Sequence, residues 1–111
     1  MELIKDNLWN EIITILKHRT SIPTFKGEAE AEVVEITNEE ITILLDKGDI
    51  RSIKRIHIEK AMDVLKQNGR VRQKDIPGNQ RYTLGVMNLL PYFERERILD
   101  GDKYRWFLVL A

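Results

Sequence analysis

The chain of 111 residues carries 18 basic and 18 acidic side chains, 42% hydrophobic residues and no cysteine. This length predicts one domain with one modest core, and the lack of cysteine excludes disulfide scaffolds, thiolate zinc sites and cysteine nucleophiles. Because no stretch approaches the roughly 18 apolar residues of a membrane span and the N-terminus lacks a signal-peptide pattern, a cytoplasmic protein without membrane partners is expected.

The first segment, Leu3 to Arg19, predicts an amphipathic helix. Its apolar residues recur at spacings of three and four, which places them on one face of a helix. Ile22-Pro23 ends this segment, because a residue before proline avoids helical angles. The apolar residues concerned are Leu8, Trp9, Ile12, Ile15 and Leu16.

A β-hairpin is predicted next. Two β-branched runs, Glu30 to Thr37 and Glu40 to Asp46, flank a short turn, and Val34 and Ile36 are expected on one face. A short extended stretch, Ile50 to Ile53, follows. Glutamates recur along the first strand and would repel a phosphate backbone, so this hairpin is not expected to contact nucleic acid.

Residues 58 to 91 predict two helices separated by a turn. The first helix, Ile58 to Asn68, is followed by Gly69, a typical helix-ending residue. The stretch Gln73 to Ile76 has room for only one helical turn. Asn79 can cap the second helix and Pro91 stops it. The apolar positions of the second helix are Tyr82, Val86, Leu89 and Leu90.

Gly85 interrupts the second helix at a cost of about 1 kcal/mol relative to alanine. A glycine here indicates that another backbone approaches closely. Close helix packing explains it as well as contact with DNA does, and packing is the commoner cause.

Two strand-like runs close the chain, Tyr92 to Leu99 and Lys103 to Leu110, around an Asp-Gly turn at Asp100-Gly101. Aromatic residues cluster in these runs. We interpret them as core, with stacking on single-stranded bases as the alternative. The aromatic residues are Tyr92, Phe93, Tyr104, Trp106 and Phe107.

Charge divides the chain into an acidic and a basic part. Residues 1–50 have 5 basic and 11 acidic side chains, a net charge of −6, whereas residues 51–111 have 13 and 7, a net charge of +6. Such asymmetry suggests a face that binds a polyanion, or two halves that attract each other. Plain solvation of one side of a small domain explains the cations equally well.

The order helix, short strand, short helix, turn, helix and two-stranded wing resembles a winged helix-turn-helix domain over about residues 56–110. More loosely, an acidic hairpin upstream of such a domain resembles small accessory domains of bacterial restriction systems. The fold class expected is α+β, with an N-terminal helix and hairpin (1–50) joined to the winged-helix-like part (51–111) in one domain.

No catalytic constellation is present in the sequence. The two histidines, His18 and His57, share no motif, and none of the residues two before a lysine is acidic, which excludes the acidic-spacer-lysine pattern of many metal-dependent nucleases. The six glycines occur singly, so no phosphate-binding loop is formed. The protein is therefore predicted not to be an enzyme and to need no cofactor or metal.

The resulting hypothesis is a nucleic-acid-binding module, with double-stranded DNA as the expected partner, acting as a regulator or recognition component. Cations would hold phosphates, and polar residues at the start of the second helix would face bases. The alternative is a protein-interaction or assembly module, a homodimer or heteromeric complex, in which acidic and basic halves meet. The candidate binding residues are Lys54, Arg55, Arg70, Arg72, Lys74, Asn79, Gln80, Arg81 and Thr83.

Overall fold

The computed structural model describes residues 5–111, and the side chains from residue 7 onward. Helices and two antiparallel sheets alternate along this part of the chain, which confirms the α+β class. The elements are α1 (Lys5–Leu16), β1 (Ser21–Pro23), β2 (Glu30–Ile36), β3 (Glu40–Leu44), β4 (Ile50–Lys54), α2 (Arg55–Asn68), a 3-10 helix (Gln73–Asp75), α3 (Gln80–Met87), β5 (Phe93–Asp100) and β6 (Lys103–Leu110).

The first sheet has the order β1-β2-β3-β4, so the predicted hairpin is the centre of a larger sheet. Strand β1 is absent from the sequence-based prediction, which has only a helix end at Ile22-Pro23. It is three residues long and pairs Ile22 with Ala31 of β2. A proline is tolerated there because β1 lies at the edge of the sheet.

The prediction for Val34 is wrong. A register shift lies between Val33 and Glu35, so the alternation of β2 changes at that point and Val34 is 56% exposed. A β-bulge of this kind turns the following side chains to the opposite face of the strand.

Helix α1 buries its apolar face as predicted, with Leu8, Trp9 and Ile12 almost fully covered. The predicted start at Leu3 lies outside the described residues. The helix ends at Leu16, before Arg19. Arg19 instead donates from Nε to the Ser21 carbonyl at 2.7 Å and pairs with Glu30 at 3.4 Å, so it stabilises the entry into the first sheet.

Helix α2 begins at Arg55, three residues before the predicted start, and ends at Asn68 as predicted. Its buried face consists of Ile58, Ala61, Met62 and Leu65. Gly69 adopts φ +75° and donates its N–H to the Leu65 carbonyl at 2.8 Å, which confirms its role in ending the helix.

Helix α3 is buried along most of its length, because residues 82–87 are all buried. It packs against β1, α2 and β4. An added Cβ at Gly85 would lie 2.0 Å from the Pro23 carbonyl oxygen, so close packing on β1 accounts for this glycine.

The closing hairpin, β5 and β6, is confirmed and is called the wing below. Its strands pair from Phe93–Leu110 to Asp100–Lys103, and Gly101 adopts φ +71° in the turn between them. An isolated bridge joins Val71 to Leu108, with hydrogen bonds of 3.1 and 2.8 Å in the two directions. The segment between α2 and the 3-10 helix is therefore attached to β6.

Among residues 5–111, no helix is both long enough and apolar enough to cross a membrane.

Tyr92 connects the wing to α1, because its hydroxyl donates to Glu11 Oε1 at 2.6 Å. This hydrogen bond, then partial burial and the negative charge of Glu11, raise the pKa of Tyr92 above its ordinary value of 10.0. The raised pKa means that the contact stabilises the fold fully below pH ~10 and that this contribution is lost as pH rises through the folded-state pKa.

We expect Glu11→Ala to lower the pKa of Tyr92 towards that of a free phenol. NMR of tyrosine labelled at Cζ, followed through an alkaline titration, measures this, and Tyr92→Phe assigns the resonance. An unchanged titration in Glu11→Ala would contradict the assignment of the shift to Glu11.

Candidate nucleic-acid interface

The candidate residues do not form one surface. Arg72 and Lys74 line a cleft beside β6, whereas Lys54, Asn79, Gln80 and Arg81 line a groove between β4 and α3. We call the first the basic cleft; it is lined by Lys26, Arg72, Gln73, Lys74, Tyr104, Arg105 and Trp106. We call the second the α3 groove; it is lined by Leu45, Arg51, Ser52, Lys54, His57, Gly78, Asn79, Gln80, Arg81 and Tyr82.

The basic cleft has a volume of about 190 Å³ and is open to solvent. Four of its lining residues are basic, and none is acidic. Three chain segments supply these cations: the turn after β1, the stretch around the 3-10 helix, and β6. The geometry concentrates positive charge at one place, as binding of a phosphate backbone requires.

A single carboxylate beside the cleft holds three arginines. Arg72 Nη1 lies 3.2 Å from Asp100 Oδ2, Arg105 Nε lies 3.4 Å from the same oxygen, and Arg70 Nη2 lies 3.9 Å from Oδ1. The Arg105 contact is an ion pair without hydrogen-bond geometry. Three positive charges around one negative charge leave this cluster with a net positive charge, and the side chains keep 27–39% exposure.

Arg70 also lies over the Phe107 ring, with its Cζ atom 4.4 Å from the ring centroid. This stacking and the contact with Asp100 fix the guanidinium against the wing. Arg70 is therefore at the border of the basic cleft, outside its lining.

The 3-10 helix positions Lys74. The backbone N–H of Arg72 donates to Asp75 Oδ2 at 3.0 Å, and the Asp75 N–H donates to the Arg72 carbonyl at 2.9 Å. These two bonds close a tight turn that contains Lys74, and the Lys74 side chain is exposed to solvent.

The wing separates its charges between two faces. Glu94 and Glu96 alternate with Arg95 and Arg97 along β5, so the two kinds of charge lie on opposite sides of the strand. Arg95 stacks on Trp106 at 4.5 Å and donates to the Phe25 carbonyl at 2.9 Å. The glutamates of β5 therefore lie on the opposite face of the strand from Arg95 and Arg97.

The α3 groove has a volume of about 590 Å³ and contains the polar residues predicted to face bases. Arg81 is exposed, whereas Gln80 donates from Nε2 to the Ile76 carbonyl at 2.6 Å. Asn79 makes no side-chain cap, and its buried Nδ2 atom lacks a hydrogen-bond partner. Asn79 is the N-cap residue of α3, as predicted, but the prediction that its side chain caps the helix is wrong.

The prediction that Thr83 faces bases is not compatible with the structure, in which Thr83 is 0% exposed. It lies in the buried stretch of residues 82–87, which leaves α3 no exposed face to lie in a major groove. Only the N-terminal end of α3 reaches the surface.

Arg55 is partly buried and holds α2 against the rest of the fold. Its Nη1 donates to the side-chain oxygen of Asn38 at 3.3 Å, its Nε lies 3.6 Å from Glu59, and its guanidinium lies 5.8 Å from the Trp9 ring centroid. Lys54 next to it is exposed. The contacts of Arg55 indicate a structural role.

Sequence reasoning missed Lys26, which lines the basic cleft. Lys26 lies in the acidic half, and nothing in its local pattern connects it with Arg72 or Lys74. It reaches the basic cleft because the chain leaving β1 runs beside the wing, where Phe25 accepts a hydrogen bond from Arg95.

No group of three or more metal-ligating side chains is found among the described residues. His18 is exposed and His57 packs against Gly78, so the two histidines do not share a site.

Comparison with known proteins gives no relative for this chain: no family model matches it, no curated protein matches it, and no solved structure matches it.

Proposed function

We propose that this protein is a non-catalytic nucleic-acid-binding module, a regulator or a recognition component of a larger system. The observation that carries the proposal is the basic cleft, with four cations and no carboxylate in its lining. Contacts of lysine and arginine with phosphates supply affinity and position without selecting a sequence.

The resemblance to winged helices adds support. That resemblance rests on the order of elements that the sequence predicts over about residues 56–110. Many winged helices bind protein, so this order does not by itself decide the partner. Double-stranded DNA stays a prediction, and the polar residues at the start of α3 are the ones that could contact its bases.

The experiment that tests the proposal is fluorescence anisotropy with a labelled duplex of about 20 base pairs at several salt concentrations. If the four cleft cations contact phosphates, the logarithm of the affinity falls with the logarithm of salt concentration with a slope of about −3 to −4. Absence of binding by folded protein at low salt, both to this duplex and to a single strand of the same sequence, would overturn the proposal.

Substitution of Asp100 is expected to increase the affinity for nucleic acid. We expect Asp100→Asn to raise affinity for the duplex about fivefold, because the arginines around it lose a neutralising charge worth up to about 1 kcal/mol at a partly exposed site. Stability should fall by about the same amount, as measured by thermal denaturation. Asp102→Asn, in the exposed turn of the wing, is the matched control. Weaker binding by folded Asp100→Asn would contradict the prediction.

Assembly through complementary halves is the second candidate, and the exposed glutamates of β2 favour it. Glu30, Glu32 and Glu35 all lie on the surface of the first sheet, apart from the basic cleft of the wing. This function predicts a mass in sedimentation that rises with protein concentration and falls with salt. Sedimentation of the sample used for anisotropy therefore separates the two candidates.

A further inference from the structure

An exposed aromatic ring lies near the tip of the wing. Tyr104 is 62% exposed and lies opposite Leu99, which is 53% exposed. The Arg97 guanidinium lies 5.9 Å from the Tyr104 ring centroid and 5.7 Å from that of Trp106. The interpretation of the wing aromatics as core therefore holds for the buried Phe93 and Phe107 but not for Tyr104.

Tyr104 also belongs to the lining of the basic cleft, together with Lys26, Lys74 and Arg105. A strand of nucleic acid that follows this cleft would place its phosphates at the cations and bring its bases to the ring. Cationic grooves combined with stacking rings are the arrangement by which proteins bind unpaired strands.

We infer that the basic cleft binds single-stranded nucleic acid, with a base stacked on Tyr104. The inference rests on the proposed function and names its substrate class. The face of a base is accessible in an unpaired strand, whereas neighbouring base pairs cover it in a duplex. An exposed ring beside phosphate-binding cations therefore favours a strand whose bases can turn outward.

The burial of α3 also favours a single strand over a duplex as the ligand. Residues 82–87 have no free face for a major groove, and the polar residues Asn79 and Gln80 lie in the α3 groove, outside the basic cleft. At the cleft, Tyr104 is the exposed ring, whereas Trp106 is partly buried beside Arg95 and Arg97 and the side-chain oxygen of Gln73 is buried. The ring contact does not depend on the identity of the base, so we expect little sequence preference.

The test compares a labelled oligonucleotide of about 15 nucleotides with the blunt duplex of the same sequence. Anisotropy is measured for the natural protein, Tyr104→Ala and Tyr104→Phe. We expect the single strand to bind about tenfold more tightly than the duplex, and Tyr104→Ala to remove about tenfold of the single-strand affinity. Tyr104→Phe retains the ring and should retain the affinity.

Thermal denaturation of both variants verifies folding, which the exposed position of Tyr104 should leave intact. Equal binding of single strand and duplex, or an unchanged single-strand affinity in Tyr104→Ala, would overturn the inference and leave the proposed function standing. Failure of both probes to bind at low salt would instead overturn the proposed function, and the inference with it.

Discussion

Gly85→Ala should destabilise the protein by about 3 kcal/mol, at the upper end of what overpacking in a core costs. The added Cβ would lie 2.0 Å from the Pro23 carbonyl oxygen and 3.1 Å from the Pro23 and Thr24 carbonyl carbons. All three atoms belong to the backbone, so no side chain can rotate away, and β1 or α3 must move. With a total stability of roughly 5–15 kcal/mol for a domain, such a loss should lower Tm by about 10 °C or more.

The direction of the stability change in Gly85→Ala shows whether packing or helix propensity dominates at this position. Gly85 lies within α3 and does not have positive φ, so alanine would improve helix propensity by up to about 1 kcal/mol if nothing stood in its way. An unchanged or higher Tm in differential scanning calorimetry would therefore contradict the packing of α3 on β1. Gln67→Ala, at an exposed position of α2, is the control and should change stability by less than about 0.5 kcal/mol.

Local chemistry predicted most of the elements. The Asp-Gly turn and alternating flanks predicted the wing, and Gly69 predicted the end of α2, because both depend on residues adjacent in the chain. Strand β1 was not predicted because three residues ending in proline carry no periodicity. Its existence depends on pairing with β2, which is a non-local interaction.

The candidate site was less predictable, because it depends on how separate segments meet. The spacing of Tyr82 and Val86 showed one apolar face of α3. It could not show that the other side is buried as well, with Gly85 against β1 and Thr83 fully covered. Because both sides of α3 are buried, this helix has no free face that could lie in a major groove. The charges of the second half were evident from composition, whereas the position of Lys26 beside them required the fold.

The alternating charges of β5 illustrate how a pattern can be ambiguous in sequence and clear in structure. Arginines and glutamates that alternate along a strand could pair with one another or lie on opposite faces. In the wing, Arg95 and Arg97 contact the rings of Trp106 and Tyr104, and the glutamates lie on the other face. The structure thus separates the arginines of β5 from its glutamates.

Combined Lys26→Glu and Lys74→Glu should lower nucleic-acid affinity by more than 100-fold. Both lysines are exposed and line the basic cleft. Hydrogen bonds to charged groups contribute about 1.5 kcal/mol or more each, and two lost contacts thus account for about 3 kcal/mol before repulsion by the new carboxylates is counted. The slope of the logarithm of affinity against the logarithm of salt concentration should also become shallower, by the amount that corresponds to about two phosphate contacts.

These lysines are a sharper choice than Arg72, because Arg72 lies 3.2 Å from Asp100 and its reversal would disturb the arginine cluster as well as the charge. The matched control is Lys17→Glu with Lys47→Glu, which changes net charge equally at exposed positions outside both the cleft and the α3 groove. If affinity depends on the cleft, the control should lose far less than the cleft variant at each salt concentration. Equal losses in the two variants would mean that net charge alone governs binding, and the assignment of the site to the basic cleft would fail.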